Sequence, residues 1–284
     1  MNAIDIEKII AESEEELSAQ FKALEKIAYS NQCRVMEAFQ KSKIALRHFA
    51  ASSGYGYGDE GRDTLNALFA DIFGAEAALV SPNILSGTHA LTVGLFGLLR
   101  TGDTLFSVSG NPYDTLQEVI GGKDIGSLAD FGISFKKCEL KNGDFDTDAI
   151  REGLSDRSVK VVFIQRSRGY EWRDALSEEK IRKICSFVRS CGFTGCIFVD
   201  NCYGEFVETS EPTQNGADIC VGSLIKNPGG GIAPTGGYIV GKREYVDKIA
   251  GRLTAPPIGA EVGSYAYGYQ YFYEGVFLAP HVVC

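Results

Sequence analysis

The chain has 284 residues, a formal net charge of −9, and 44% hydrophobic against 23% charged residues. That is enough chain for one large α/β domain or a domain and a half, with the composition of an ordinary globular protein. The acidic balance excludes a nucleic-acid surface, which needs clustered lysine and arginine, and no apolar run approaches the length that spans a bilayer. The start, Met1-Asn2-Ala3-Ile4-Asp5-Ile6-Glu7, lacks the basic opening and apolar core of a secretion signal, so the expected compartment is the cytoplasm.

In chain order, residues 4 to 49 read as helix, with Ile9, Ile10, Leu17, Phe21, Leu24, Ile27 and Ala28 at helical spacing. From residue 64 the pattern alternates: a helix over 64–73, a strand over 77–80, a helix over 87–99, a strand over 104–107, a helix over 115–120. The run 159–164 is continuously apolar and β-branched, as strands covered on both faces are. A helix over 177–190 opens on Ser177, and strands follow over 196–200, 218–223 and 237–240. This order predicts a three-layer α/β/α sandwich around a mostly parallel sheet, preceded by a helical segment. The eight cysteines (33, 138, 185, 191, 196, 202, 220 and 284) form no Cys-x-x-Cys pair, and His48, His89 and His281 are scattered. They read as reduced thiols, with no metal site.

In such sheets a ligand sits beyond the carboxyl ends of the strands. Three strand ends carry chemistry. Ser223-Leu224-Ile225-Lys226-Asn227 leaves an apolar strand with one amine and a glycine-rich exit. A lysine in a partly dry pocket can lose its proton near neutral pH and attack a carbonyl, and pyridoxal phosphate (PLP) is the aldehyde cofactor most often held this way. Val199-Asp200-Asn201 delivers one carboxylate, suited either to a protonated pyridine nitrogen or to capping the next turn. Ser86-Gly87-Thr88-His89 opens a helix with hydroxyls and free amides, an anion site or an ordinary N-cap. Tyr113, on a turn before a helix, can stack on a planar ring. Nucleotide motifs are missing: no Gly-x-x-x-x-Gly-Lys-Ser/Thr occurs, and Gly54-Tyr55-Gly56-Tyr57-Gly58 has no strand before it.

Taken together, these segments resemble the fold-type I PLP enzymes of the cystathionine/methionine γ-lyase group, in the branch of aluminium-resistance or methionine γ-lyase-like proteins. The matching text is Gly54 to Leu65, Ser86 to Ala90, Asn111 to Asp114, Gln165 to Tyr170, Val199 to Glu205 and Ser223 to Asn227, in the family's order. The resemblance implies that Lys226 forms the Schiff base with PLP and shuttles the α-proton. It implies that Asp200 binds the pyridine nitrogen, that Tyr113 stacks on the ring, and that Ser86, Gly87, Thr88 and Ser223 hold the phosphate. It also implies that a tyrosine and an arginine reach the phosphate from a neighbouring subunit, for which Tyr55, Tyr57 and Arg62 are the candidates at a spacing wider than the family's. Arg168 stands near where relatives place an asparagine.

The implied activity is carbon–sulfur lysis of a small sulfur amino acid (methionine, cystathionine or cysteine) in a homo-oligomer with shared sites, with no nucleic acid or membrane partner. The alternative is a PLP-binding protein without catalysis. Domain boundaries read as a helical segment over 1–50 and a PLP-binding domain over 51–260. The start of a small C-terminal domain, cut short, reads over 261–284.

Overall fold

The computed structural model describes residues 5–284, and the expected helix start at residue 4 lies outside them. One helix was expected before residue 50, but two form: α1 (Ile6–Glu16) and α2 (Ser18–Lys41). The break at Leu17 follows Glu14-Glu15-Glu16, three like charges crowded against a helix carboxyl end where the dipole disfavours them. A tight turn at Leu46–Phe49 replaces the remainder.

Next comes α3 (Glu60–Phe73), where Asp59 accepts from the Arg62 amide at 3.0 Å and Gly74, at φ 62°, closes the last turn. The expected alternation then appears as β1 (Ala77–Ser81), α4 (Gly87–Leu98), β2 (Thr104–Ser107) and α5 (Asp114–Gly121). Residues 122–158, left unassigned from sequence, hold β3 (Ser134–Lys137), the small hairpin β4 (Leu140–Lys141) and β5 (Asp144–Phe145), and α6 (Thr147–Leu154). The chain continues through β6 (Val159–Gln165), α7 (Glu178–Ser190), β7 (Cys196–Asp200), β8 (Ile219–Ser223), β9 (Gly237–Gly241), α8 (Arg243–Leu253) and α9 (Gln270–Val283).

Seven strands form one sheet in the order β1-β9-β8-β7-β6-β2-β3. The run from β8 to β3 is parallel, and β9 is antiparallel to both β1 and β8. Successive residues of the central strands point to opposite faces. Phe163, Phe198, Val221 and Ile239 meet α4, α5 and α8 on one side. Val162, Ile164, Ile197 and Val199 meet α6 and α7 on the other, where Tyr238 and Val240 meet α2, α3 and α9. Apolar residues on both faces are what a doubly covered parallel sheet requires, and the architecture is the expected three-layer α/β/α sandwich.

The tyrosine-rich segment before the C-terminus, which the sequence reading left without secondary structure, starts α9. Tyr269 and Tyr273 are fully buried. Their hydroxyls donate to Asp59 Oδ2 at 2.6 Å and to the Gly61 carbonyl at 2.7 Å, so each ring is dry and each polar end is satisfied. Residues of α9 and of α2 thus share one core cluster with the sheet. Among the described residues no helix is long and apolar enough to cross a membrane.

Candidate active site

Gln165, Asp200 and Ser223 end three neighbouring parallel strands, and Gln165 and Asp200 are register partners. All three are buried. The loop after β8 returns Lys226 to this edge, while the amino end of α4 arrives from the adjoining layer. A Cβ built on Gly87 would lie 3.0 Å from Cys202 Sγ, 3.4 Å from Ser223 Cβ and 3.9 Å from Lys226 Nζ. Two loops, a strand end and a helix end therefore meet at one point. Only glycine leaves it open.

Each expected residue can be placed around that point. Ser86 is the N-cap of α4, its Oγ accepting from the His89 amide at 3.1 Å. The amides of Gly87 and Thr88 belong to the first turn, which has no intrahelical acceptor for them. The helix end thus keeps free N–H groups and its positive dipole. Thr88 Oγ1 stands 2.9 Å from the Tyr113 hydroxyl. Tyr113 is in turn fixed by its amide, which donates to Gln165 Oε1 at 2.8 Å. Burial raises the Tyr113 hydroxyl well above its ordinary range, and the nearby Asp200 and Cys202 add to the shift.

Asp200 makes the turn cap, one of the two uses its position suggested. Its Oδ1 accepts the Cys202 amide at 3.1 Å, capping the turn, and its carboxyl lies close enough to Lys226 for each to favour the other's charge. Burial is the larger influence on the carboxyl and pushes its pKa up. At Lys226 two influences oppose each other. Burial pushes the amine down, but Cys202, Tyr203 and Asp200 outweigh it and the net shift is upward. The Cys202 thiol is itself pushed well up by burial. The Lys226 amine also lies 4.0 Å from the centroid of the Tyr203 ring.

Tyr55, Tyr57 and Arg62 form a separate group. No hydrogen bond, ion pair or ring contact joins them to Lys226, Asp200 or Tyr113 among the described residues. Tyr55 and Tyr57 are 75% and 66% exposed, their rings 5.9 Å apart. Arg62 is buried, with Nη1 donating to the Gly56 carbonyl at 2.9 Å and Nε to Asp63 at 2.9 Å. Its guanidinium pins the loop that presents the two tyrosines.

Sequence reasoning gave no role to Arg166, Cys202 or Tyr203. Arg166, at the end of β6, is buried and pairs with Glu178 at 2.7 Å and Glu208 at 2.9 Å, and it donates to Asn201 Oδ1 and the Gly204 carbonyl at 2.9 Å each. This network locks the turn after Asp200 to the start of α7. A cavity of about 560 Å³ opens beside it, lined by Arg168, Gly169, Leu176, Tyr203 and Glu208. The only sequence signal was an arginine directly after an apolar strand.

An α/β/α sandwich with a lysine, a buried carboxylate, a tyrosine and helix amides at one sheet edge defines the class of PLP-enzyme-like folds. The chain matches the methionine gamma-lyase family over residues 6–284, and it belongs to that family. It is 47% identical over 282 residues to the uncharacterized protein YnbB of Bacillus subtilis, covering 98% of this chain and 67% of that one. A Listeria monocytogenes structure, provisionally named a cystathionine beta-lyase involved in aluminium resistance, is 48% identical with TM-score 0.96, covering 98% of this chain and 69% of that one. A Clostridium novyi structure, named a carbon-sulfur lyase involved in aluminium resistance, is 47% identical with TM-score 0.93, covering 97% and 66%. The chain thus spans about two thirds of the length of these relatives.

Proposed function

We propose that this chain binds PLP at Lys226 and acts as a carbon–sulfur lyase on sulfur amino acids. The meeting of Gly87, Cys202, Ser223 and the Lys226 amine in one small space carries the reading. The donor set fits the group: an amine for an aldehyde, a buried carboxylate for a pyridine nitrogen, and free helix amides with two serine hydroxyls for a phosphate. The names of the Listeria and Clostridium relatives support the reaction class.

When bound, PLP supplies an electron sink for the negative charge that develops at the substrate α-carbon. The chain's own residues do the rest. Lys226 Nζ is the amine positioned both to anchor the cofactor and to carry a proton to and from that carbon. Asp200 would supply the charge partner for the ring nitrogen. Tyr113, held by Thr88 and Gln165, would cover one ring face, and Ser86, Gly87, Thr88 and Ser223 would hold the phosphate. Tyr55 and Tyr57, on the loop pinned by Arg62, are assigned to the phosphate of a neighbouring copy.

The test is product formation. PLP-loaded protein should release a thiol and an α-keto acid from methionine, cystathionine or cysteine, and Lys226→Ala should release neither. No product from any of the three, with bound cofactor confirmed, contradicts the lyase assignment.

A further inference from the structure

We propose that Tyr203 is a positioning residue for Lys226: its ring seats the lysine ammonium and holds it at the sheet edge before cofactor arrives. The inference deepens the reading of Lys226 as the reactive amine and rests on it. Lys226 Nζ lies 4.0 Å from the centroid of the Tyr203 ring, whereas the other cation–ring pairs among the described residues span 5.1 to 5.9 Å. A cation over a tyrosine face at this range is attracted by the ring quadrupole, and a partly desolvated site strengthens the attraction.

The backbone is bent to make the contact. Tyr203 has φ 72°, in the left-handed region that non-glycine residues enter at a cost and bulky ones seldom occupy. Two ties hold it there. Asp200 Oδ1 fixes the Cys202 amide on one side, and on the other the Asn227 side chain donates to the Glu205 carbonyl at 3.0 Å. The second tie joins the turn carrying Tyr203 to the residue next to Lys226. The ring is 61% exposed, so core packing does not dictate its place. It also lines the cavity with Arg168 and Gly169.

The titratable groups facing Lys226 are Asp200, Cys202, Tyr203 and Glu205, all from the one turn. From α4 the neighbour is Gly87, on which a Cβ would lie 3.9 Å from the amine and which does not titrate. The ring favours the ammonium over the free amine, so removing it lowers the amine's pKa and raises the unprotonated fraction at neutral pH.

The experiment is competitive labelling of the cofactor-free protein with acetic anhydride, followed by peptide mapping of Lys226 across pH. In Tyr203→Leu, which keeps the backbone cost but loses the ring, Lys226 should label roughly three- to tenfold faster at neutral pH, with its midpoint shifted to lower pH. Tyr203→Phe keeps the ring and should match wild type. Tyr203→Gly relieves the left-handed strain and should label as the leucine variant does, which separates ring loss from misfolding. Equal labelling in all four proteins overturns the proposal, as does a phenylalanine variant that behaves like leucine. Because acetic anhydride needs no cofactor, these outcomes are independent of whether Lys226 holds PLP. That question is answered by borohydride trapping of PLP on the same peptide.

Discussion

The Thr88 and Tyr113 hydroxyls lie 2.9 Å apart, joining the first turn of α4 to the turn before α5. The bond fixes a ring where a planar cofactor would stack and spends the Thr88 hydroxyl on that task. Losing one such bond costs about 0.5–1.5 kcal/mol. Tyr113→Phe should therefore weaken PLP binding roughly two- to tenfold, and Tyr113→Ala, which also loses the ring face, should weaken it further. Absorbance titration of cofactor-free protein measures both.

Gly87 separates stability from binding. Alanine is the better helix former by up to about 1 kcal/mol, so Gly87→Ala should leave thermal stability unchanged or slightly raised, provided Cys202 Sγ yields to the new methyl group. The same methyl group enters the space between Cys202, Ser223 and Lys226, and PLP affinity should fall by roughly tenfold or more. A stable variant with unaltered affinity would place the cofactor elsewhere.

Arg166 is a structural cation at the edge of the site. Its side chain and that of Glu178 are 4% and 5% exposed, and Arg166 also holds Glu208. Removing one partner of a buried pair leaves the other uncompensated, at about 3–5 kcal/mol. Arg166→Met should lose that much in urea unfolding, and adding Glu178→Gln should recover part of it.

Glu205 predicts a pH dependence. It is fully buried, its Oε1 accepts from Tyr238 at 2.7 Å, its Oε2 has no partner, and burial pushes its carboxyl up to about 8 from 4.5. In the folded protein the carboxyl holds its proton more tightly than in the unfolded chain. Its contribution to stability is thus full below pH 4.5 and is lost as pH rises through about 8. Glu205→Gln keeps an acceptor for Tyr238 and cannot ionise. It should match wild type near pH 5 and exceed it by about 1–3 kcal/mol above pH 8. Thermal unfolding at the two pH values checks the sign.

The strands bearing Gln165, Asp200 and Ser223 were legible because burial on both faces forces continuous apolar runs. Ser86 and Gly87 were legible because a helix end needs a cap and an open approach. The polar edge strand β3 was not, since its residues Ser134 to Lys137 are exposed or half-buried and carry no periodic signal. Nor was α9 legible, whose tyrosines are core residues only because Asp59 and Gly61, far away in sequence, accept their hydroxyls. The surroundings of Lys226 escaped for the same reason: only folding brings Asp200, Cys202 and Tyr203 to the amine. A glycine-rich exit marks a presented lysine but says nothing of what surrounds it.

The central claim is that Lys226 is the amine that takes PLP. Protein incubated with PLP, reduced with borohydride and digested should carry the pyridoxyl group on the peptide containing Lys226, and Lys226→Ala should carry none. A label on another lysine, or an unchanged label in the alanine variant, would contradict the account.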